Sequence, residues 1–131
     1  MKILVDTNVL FSALVFPNSK SAKALMHAAE NHEILLCDQN LNEFREILKR
    51  KAPKYLPDAE VFIAELPYEL IPAVSHAEKI IRDATDQPIL NAAIIADADI
   101  ILTGDKDFLS LNLDHPKCLS AADYLEIEGI E

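Results

Sequence analysis

Residues 2–8, with the sequence KILVDTN, constrain the fold of this chain more than any other stretch. The run Ile3-Leu4-Val5 is branched and apolar, has no helical period and stops at a polar residue, which predicts a short, fully buried central strand. In an open parallel sheet, ligands bind outside the carboxyl ends of the strands, so we expect Asp6 at the mouth of such a crevice. A lone carboxylate in that position requires polar partners.

The length and composition of the chain predict one domain. Its 131 residues suffice for a single hydrophobic core but not for two. No apolar run approaches the length needed to cross a bilayer, and Asp6 interrupts the first apolar run before a signal-peptide core is complete. We therefore expect residues 1–131 to form one soluble, cytoplasmic domain that does not contact a membrane.

The cysteines and histidines give no sign of a metal site. Cys37 and Cys118 have no further ligand at metal-binding spacing and are interpreted as buried free thiols. No HxxH or HExxH pattern is formed by the four histidines, which are His27, His32, His76 and His115. We therefore expect the histidine side chains to be exposed to solvent.

Apolar runs alternate with amphipathic stretches along the chain, as in an α/β protein. After the first strand, apolar runs predict strands at 34–37, 69–72, 100–102 and 118–119. Helices are predicted at 8–16, around 22–29, and at 41–51, 58–66, 88–96 and 120–125, whereas 75–82 is either helical or a loop. In the second helix, the buried stripe is expected to contain Ala22, Leu25, Met26 and Ala29. These elements predict an α/β sandwich with a mainly parallel central sheet.

Several carboxylates are expected at one edge of this sheet. Asp6 and Asp105 each follow a predicted strand, and Asp86 begins a predicted helix. Right-handed crossovers make the carboxyl ends of parallel strands face the same way, so these side chains can converge. Asp97 and Asp99 precede the strand at 100–102 and fall at the opposite edge, about 13 Å away.

A carboxylate cluster points to divalent cations as its ligands. Like charges at short range resist joint ionisation, and Mg²⁺ or Mn²⁺ would relieve that cost. The simpler alternatives remain open: Asp86 and Asp107 as helix caps, Asp83 as a turn residue, and Glu43 as a surface residue at the margin of an apolar helix face. The net charge of −10 argues against DNA binding by a broad basic face.

One dense basic cluster stands out in this acidic chain. It occupies the end of the helix predicted at 41–51 and the loop beyond, and it contains Arg45, Lys49, Arg50, Lys51 and Lys54, of which the last four are the candidate RNA contacts. Cations at a helix C-terminus are favoured by the macrodipole, so the cluster is either a solvated helix end or a contact for RNA phosphates.

Four short motifs, in order, resemble the PIN domain family, and in particular its toxins of toxin–antitoxin pairs. They are Asp6-Thr7-Asn8, Glu43 in a helix, Asp83-Ala84-Thr85-Asp86, and Thr103-Gly104-Asp105-Lys106-Asp107. The resemblance covers nearly the whole chain. It implies a three-layer α/β/α sandwich with a central parallel sheet of about five strands.

The same resemblance implies an activity and a set of site residues. The activity is hydrolysis of RNA phosphodiesters by a ribonuclease that depends on Mg²⁺ or Mn²⁺. The implied metal cluster consists of Asp6, Glu43, Asp86 and Asp105, with Asp107 as a supporting member and Thr7, Asn8 and Thr103 as the polar lining. An antitoxin protein that covers the acidic groove, and a homodimer, are the implied protein partners.

Two other function classes remain open at this point. One is a phosphotransfer domain, either an aspartyl phosphatase or a phospho-acceptor, with Asp6 as nucleophile and Lys106 as phosphate partner. Against it, a phosphatase of the Asp-x-Asp kind needs an acid at position 8, where this chain has Asn8. The other is a catalytically silent, metal-binding interaction domain.

Overall fold

The computed structural model describes residues 1–74 and 86–130. A central sheet of five strands has the order β3-β2-β1-β4-β5. All neighbouring strands are parallel, which confirms the predicted sheet. The strands are β1 (Lys2–Val5), β2 (Glu33–Cys37), β3 (Tyr68–Ile71), β4 (Ile100–Leu102) and β5 (Lys117–Leu119).

Helices separate successive strands, and a further helix follows β5. They are α1 (Thr7–Val15), α2 (Lys20–Asn31), α3 (Asp38–Lys51), α4 (Leu56–Glu65), α5 (Gln87–Ile95), α6 (Lys106–Leu109) and α7 (Ala121–Ile127), with a 3-10 turn at Pro53–Tyr55 before α4. The sequence 75–82, predicted as helix or loop, lies outside the described residues. Among the residues that are described, no helix has both the length and the apolar character needed to cross a membrane.

Apolar residues cover both faces of the sheet, which explains the three layers. Successive strand residues point to opposite faces, so Ile3 and Val5 pack in one core and Leu4 in the other. The first core joins the sheet to α1, α2, α3, α4 and α7. The second core includes Ile89 and Leu90 of α5 and Phe108 of α6. The α/β/α sandwich predicted from the sequence is therefore confirmed.

The strand order reverses at the centre of the sheet. From β1 the chain passes to β2 and β3 on one side, and it then returns to β4 and β5 on the other. Loops that leave the carboxyl ends of β1 and β4 thus diverge, and such a point is where open α/β sheets bind ligands. Asp6 and Thr103 directly follow these two strands.

Two details of the helices differ from the predictions. Met26 is 56% exposed, whereas Ala24 and Ala28 are buried, so the buried stripe of α2 is rotated from the predicted one. The helix α3 begins at Asp38 instead of 41. The earlier start places Asn40 within the helix, fully buried.

Candidate active site

Asp6 occupies the junction between β1 and α1. It is the N-cap of α1, and its side chain is only 5% exposed. Oδ1 accepts hydrogen bonds from the backbone N–H of Thr7 at 2.9 Å and from Asn40 Nδ2 at 3.0 Å. Oδ2 accepts from Thr103 Oγ1 at 2.7 Å and from Asn8 Nδ2 at 3.2 Å. These four donors occupy the roughly four acceptor positions of a carboxylate and fix its orientation.

Glu43 is linked to Asp6 through Thr7. The Thr7 hydroxyl donates to Glu43 Oε2 at 3.1 Å, and Gln39 Nε2 donates to Oε1 at 3.0 Å. Because Gln39 stands one helical turn before Glu43, both contact the crevice from the first half of α3. Glu43, which was predicted to lie in a helix, is therefore on α3 and close to the carboxyl end of β1.

Asn40 is a site residue that was not predicted from the sequence, because it precedes the helix predicted at 41–51. Its amide nitrogen donates both to Asp6 Oδ1 and to Thr7 Oγ1, each at 3.0 Å. Its Oδ1 is buried and accepts no hydrogen bond from the described residues. The signal that identifies it is its position three residues before Glu43, which places both on one helix face once the helix start is known.

A second arm of the site follows β4. The Thr103 hydroxyl donates to Asp6 and accepts the backbone N–H of Asp105 at 3.0 Å, so it joins the two acidic residues. Asp105 is the N-cap of α6, and its Oδ1 accepts the N–H of Asp107 at 2.9 Å. The backbone N–H of Gly104 donates to Asn8 Oδ1 at 2.8 Å, which ties the two loops together.

Three carboxylates form a compact group at this edge. One oxygen each from Asp86, Asp105 and Asp107 lies within 4.8 Å of the others, and all three side chains are half-buried. Asp86 reaches the group as the N-cap residue of α5 without capping that helix through its side chain. The alternative role of Asp107 as the cap of α6 belongs instead to Asp105.

The environment of Asp6 disfavours its charged form. Burial raises the pKa of its carboxyl above the ordinary value of 3.8, and the negative charges of Asp105 and Glu43 act in the same direction. Hydrogen bonds from Thr103 and Thr7 partly oppose this rise in pKa. None of the described lysines and arginines forms an ion pair with Asp6, Glu43 or Asp105.

The basic cluster lies apart from these acids. Its four candidate RNA contacts are exposed, at the C-terminal end of α3 and in the 3-10 turn. Its fifth member, Arg45, is half-buried and pairs with Glu60 at 2.9 Å. Lys49 pairs with Glu46 at 3.5 Å, and Lys54 Nζ lies 5.4 Å from the centre of the Tyr55 ring. Lys49 follows Glu43 by six residues, or about 9 Å along a helix. The cluster therefore does not line the acidic crevice.

The donor set suits a hard divalent cation. Asp86, Asp105 and Asp107 supply oxygen ligands only, which is what Mg²⁺ and Mn²⁺ prefer. Asp6 lies next to this group through Thr103, and its contact with Asn8, at 3.2 Å, is the longest of its four hydrogen bonds. A cation bound to Oδ2 of Asp6 would replace the contact of this oxygen with Asn8.

The family of this chain is established by comparison with known proteins. A family model described as the PIN domain matches residues 2–107, and the chain belongs to that family, whose members are nucleases that generally use divalent metals. The chain is also 32% identical to an uncharacterised protein of Methanocaldococcus jannaschii, MJ1680, over 99% of its own length and 83% of that protein.

A solved structure supports the same fold. The chain is similar to one in the crystal structure of VapBC2 from Rickettsia felis bound to a DNA fragment from its promoter. The TM-score is 0.66 with 18% sequence identity, and the match covers 92% of this chain and 98% of the other. At this identity the comparison concerns the fold, which is that predicted for a PIN domain.

Proposed function

We propose that residues 1–131 form one nuclease domain, an endoribonuclease that hydrolyses RNA phosphodiesters with Mg²⁺ or Mn²⁺. The observation that carries the proposal is the convergence of acidic residues from four parts of the chain at the point where the strand order reverses. They are Asp6, Glu43, Asp86, Asp105 and Asp107. Membership of a nuclease family supports phosphodiester chemistry at this convergence.

Acidic residues from both sides of the crevice would hold the cations. The oxygens of Asp86, Asp105 and Asp107 lie close enough together to bind one cation. Oδ2 of Asp6 and the carboxylate of Glu43 complete the acidic lining. Bound divalent ions supply an activated water and stabilise charge on the attacking and leaving oxygens of a phosphodiester. They would also offset the repulsion that the carboxylates experience when no cation is bound.

The neutral residues position the acids. Thr103 fixes the distance between the Asp6 carboxylate and the backbone of Asp105 through its two hydrogen bonds. Asn40 and Thr7 form a relay from Asp6 to Glu43, in which every polar hydrogen has an acceptor. Such fixed orientation matters because a small displacement of a catalytic group lowers the rate strongly.

Asn8 argues against the phosphotransfer alternative. Position 8 holds an amide that bridges Asp6 and Gly104, and this amide cannot act as the second acid of an Asp-x-Asp phosphatase.

The proposed biological setting is a toxin of a toxin–antitoxin pair in the cytoplasm. Support comes from the likeness in fold to a chain of the VapBC2 complex and from the motifs that resemble those of PIN toxins. In this setting RNA is the substrate, an antitoxin protein is the partner that covers the acidic crevice, and the toxin forms a homodimer.

The experiment that tests the proposal is cleavage of an end-labelled, single-stranded RNA by the purified protein. With Mn²⁺ or Mg²⁺ we expect cutting that is lost in EDTA and in Asp105→Asn and Asp6→Asn. Asp99→Asn is the matched control, because Asp99 lies at the opposite edge, where its Oδ2 accepts the backbone N–H of Lys2. Cutting that survives EDTA or both site variants would overturn the proposal, and metal binding without cutting of any RNA tested would favour the silent interaction domain.

A further inference from the structure

Two histidines and a glutamate lie together at the amino end of the sheet, opposite the acidic crevice. His27 is in the last turns of α2, His32 directly follows this helix, and Glu128 directly follows α7. One candidate ligand atom from each residue lies within 4.8 Å of the other two, and all three side chains are half-buried. This arrangement corrects the prediction that the histidines are exposed, which holds for His115 but not for these two; His76 lies outside the described residues.

The contacts of the group hold its members in place. His32 Nε2 lies 2.8 Å from Glu128 Oε1, and Nδ1 of His32 accepts from the N-terminal ammonium group of Met1 at 3.3 Å. Nδ1 of His27 lies 2.7 Å from the Tyr124 hydroxyl. The rings of His27 and His32 meet edge to face, with centroids 6.1 Å apart.

The donor set differs in kind from that of the acidic crevice. Two imidazoles and one carboxylate form a three-ligand combination that binds Zn²⁺ with a water in the fourth position. A tetrahedral Zn²⁺ with bonds of about 2.0–2.2 Å holds its ligand atoms roughly 3.3–3.6 Å apart. The three ligand atoms already lie within 4.8 Å of one another. Side-chain rotations that shift each atom by about 1 Å therefore bring them to that spacing without moving the helices.

Tyr124 supplies the contact outside the ligand set that such sites need. A ligating histidine normally donates its second N–H to a fixed acceptor, which sets the ring orientation. Tyr124 is 1% exposed, and burial raises the pKa of its hydroxyl to about 12, so the group stays neutral at physiological pH. Its oxygen can therefore accept the N–H of His27, while the hydroxyl itself is not a metal ligand.

We propose that His27, His32 and Glu128 form a second metal site, specific for a transition-metal ion such as Zn²⁺, which fastens α7 to α2. The site is separate from the proposed nuclease centre and does not depend on it. Without the metal ion, this connection consists of the His32–Glu128 contact, the His27–Tyr124 contact and the apolar packing of α2 against α7. Metal binding would therefore stabilise the C-terminal helix against the rest of the chain.

The experiment is Zn²⁺ titration of the full chain by calorimetry, with thermal unfolding and X-ray absorption of the Zn²⁺-loaded protein. We expect one Zn²⁺ to bind in excess Mg²⁺, to raise the unfolding temperature and to have a first shell that contains two imidazoles. His27→Gln and His32→Gln should each weaken Zn²⁺ binding by at least about 100-fold, and Tyr124→Phe by about 10-fold. The matched control is His115→Gln, since His115 also contacts carboxylates, Asp97 at 2.8 Å and Asp99 at 3.8 Å, but no second histidine within 1–74 and 86–130.

The outcomes separate the two ends of the sheet. Zn²⁺ affinity retained in Asp105→Asn and lost in His32→Gln supports the proposal. Affinity lost in Asp105→Asn and retained in His32→Gln would place the ion in the acidic crevice and overturn it. An oxygen-only shell in X-ray absorption of the wild-type protein would overturn it as well, independently of whether any variant folds. If the protein does not cut RNA in the cleavage assay, the expected results for Zn²⁺ binding remain the same.

Discussion

The two ends of the sheet carry clusters of similar size, but the charges repel one another at the carboxyl end and attract one another at the amino end. At the carboxyl end, Asp86, Asp105 and Asp107 bring three acids within 4.8 Å, and the charge of Asp105 also raises the pKa of Asp6. At the amino end, His32 and Glu128 attract each other through a hydrogen bond of 2.8 Å. The acidic end is therefore costly without a cation, whereas the amino end is satisfied by its own contacts.

The difference suggests a division of roles, with chemistry at the carboxyl end of the sheet and structural stability at the amino end. Sites that cost stability persist where function requires them, and the rest of the chain compensates. Here the buried cores on both faces of the sheet supply that compensation. The comparison also predicts ligand preference, with hard cations at the oxygen-lined end and borderline transition metals at the end that contains imidazoles.

The largest expected effect is on RNA cleavage by Asp105→Asn. The variant keeps an N-cap residue for α6 and removes one acidic ligand, so we expect the fold to remain and the cleavage rate to fall by more than about 100-fold. Without divalent ions its free energy of unfolding should rise by about 0.5 kcal/mol, because repulsion of Asp6 is relieved. Single-turnover cleavage and urea unfolding measure the two effects, and unchanged cleavage would remove Asp105 from the site.

The next effect concerns Asn40→Ala. Two donors to Asp6 and Thr7 are lost, which should lower the cleavage rate by 10- to 100-fold and the free energy of unfolding by about 1–3 kcal/mol. The matched control is Asn42→Ala, at an exposed position on the same helix. Equal rates in the two variants would show that Asn40 does not position the site.

A smaller effect is expected on the pH dependence of stability. The pKa of Asp6 is raised in the folded protein, so its contribution is present below the unfolded pKa and is lost as the pH rises through the folded value, above 3.8. In EDTA, the free energy of unfolding of Asp6→Asn minus that of the wild type should therefore increase with pH in this range. Added Mg²⁺ should reduce the increase, and a difference that falls with pH would contradict the raised pKa.

The smallest expected effect is that of the basic cluster. If Lys51 and Lys54 contact RNA phosphates, the double variant Lys51→Glu and Lys54→Glu should weaken RNA binding and flatten its dependence on salt. The control is Lys20→Glu with Lys23→Glu, two exposed lysines on α2. An identical salt slope for wild type and Lys51/Lys54 variant would assign the cluster to solvated surface at the end of α3.

Residues that directly follow strands were predictable from the sequence. Asp6, Thr103 and Asp105 come after uninterrupted apolar runs, and β4 has the predicted bounds, because a buried parallel strand leaves a plain signal. Parallel pairing then fixes which edge such residues occupy. The order β3-β2-β1-β4-β5, which brings Asp6 beside Thr103, was not predicted, because alternating strands and helices do not fix which strands are neighbours.

Residues whose role depends on helix phase or on distant contacts were not predictable. Asn40 faces Asp6 only because α3 begins at Asp38, and helix starts are weakly encoded when several polar residues precede the apolar stripe. His32 and Glu128 lie 96 positions apart, so no local spacing connects them. Their meeting results from the return of α7 along the face that carries α2.

The most direct test of the central claim is Mn²⁺ binding by calorimetry to wild type, Asp105→Asn and Asp99→Asn. The acidic crevice at the carboxyl end predicts that Asp105→Asn weakens Mn²⁺ binding at least 10-fold, while Asp99→Asn, at the amino end, binds as the wild type does. Equal Mn²⁺ affinities for the wild type and Asp105→Asn would contradict the account and remove the metal centre on which the proposed ribonuclease depends.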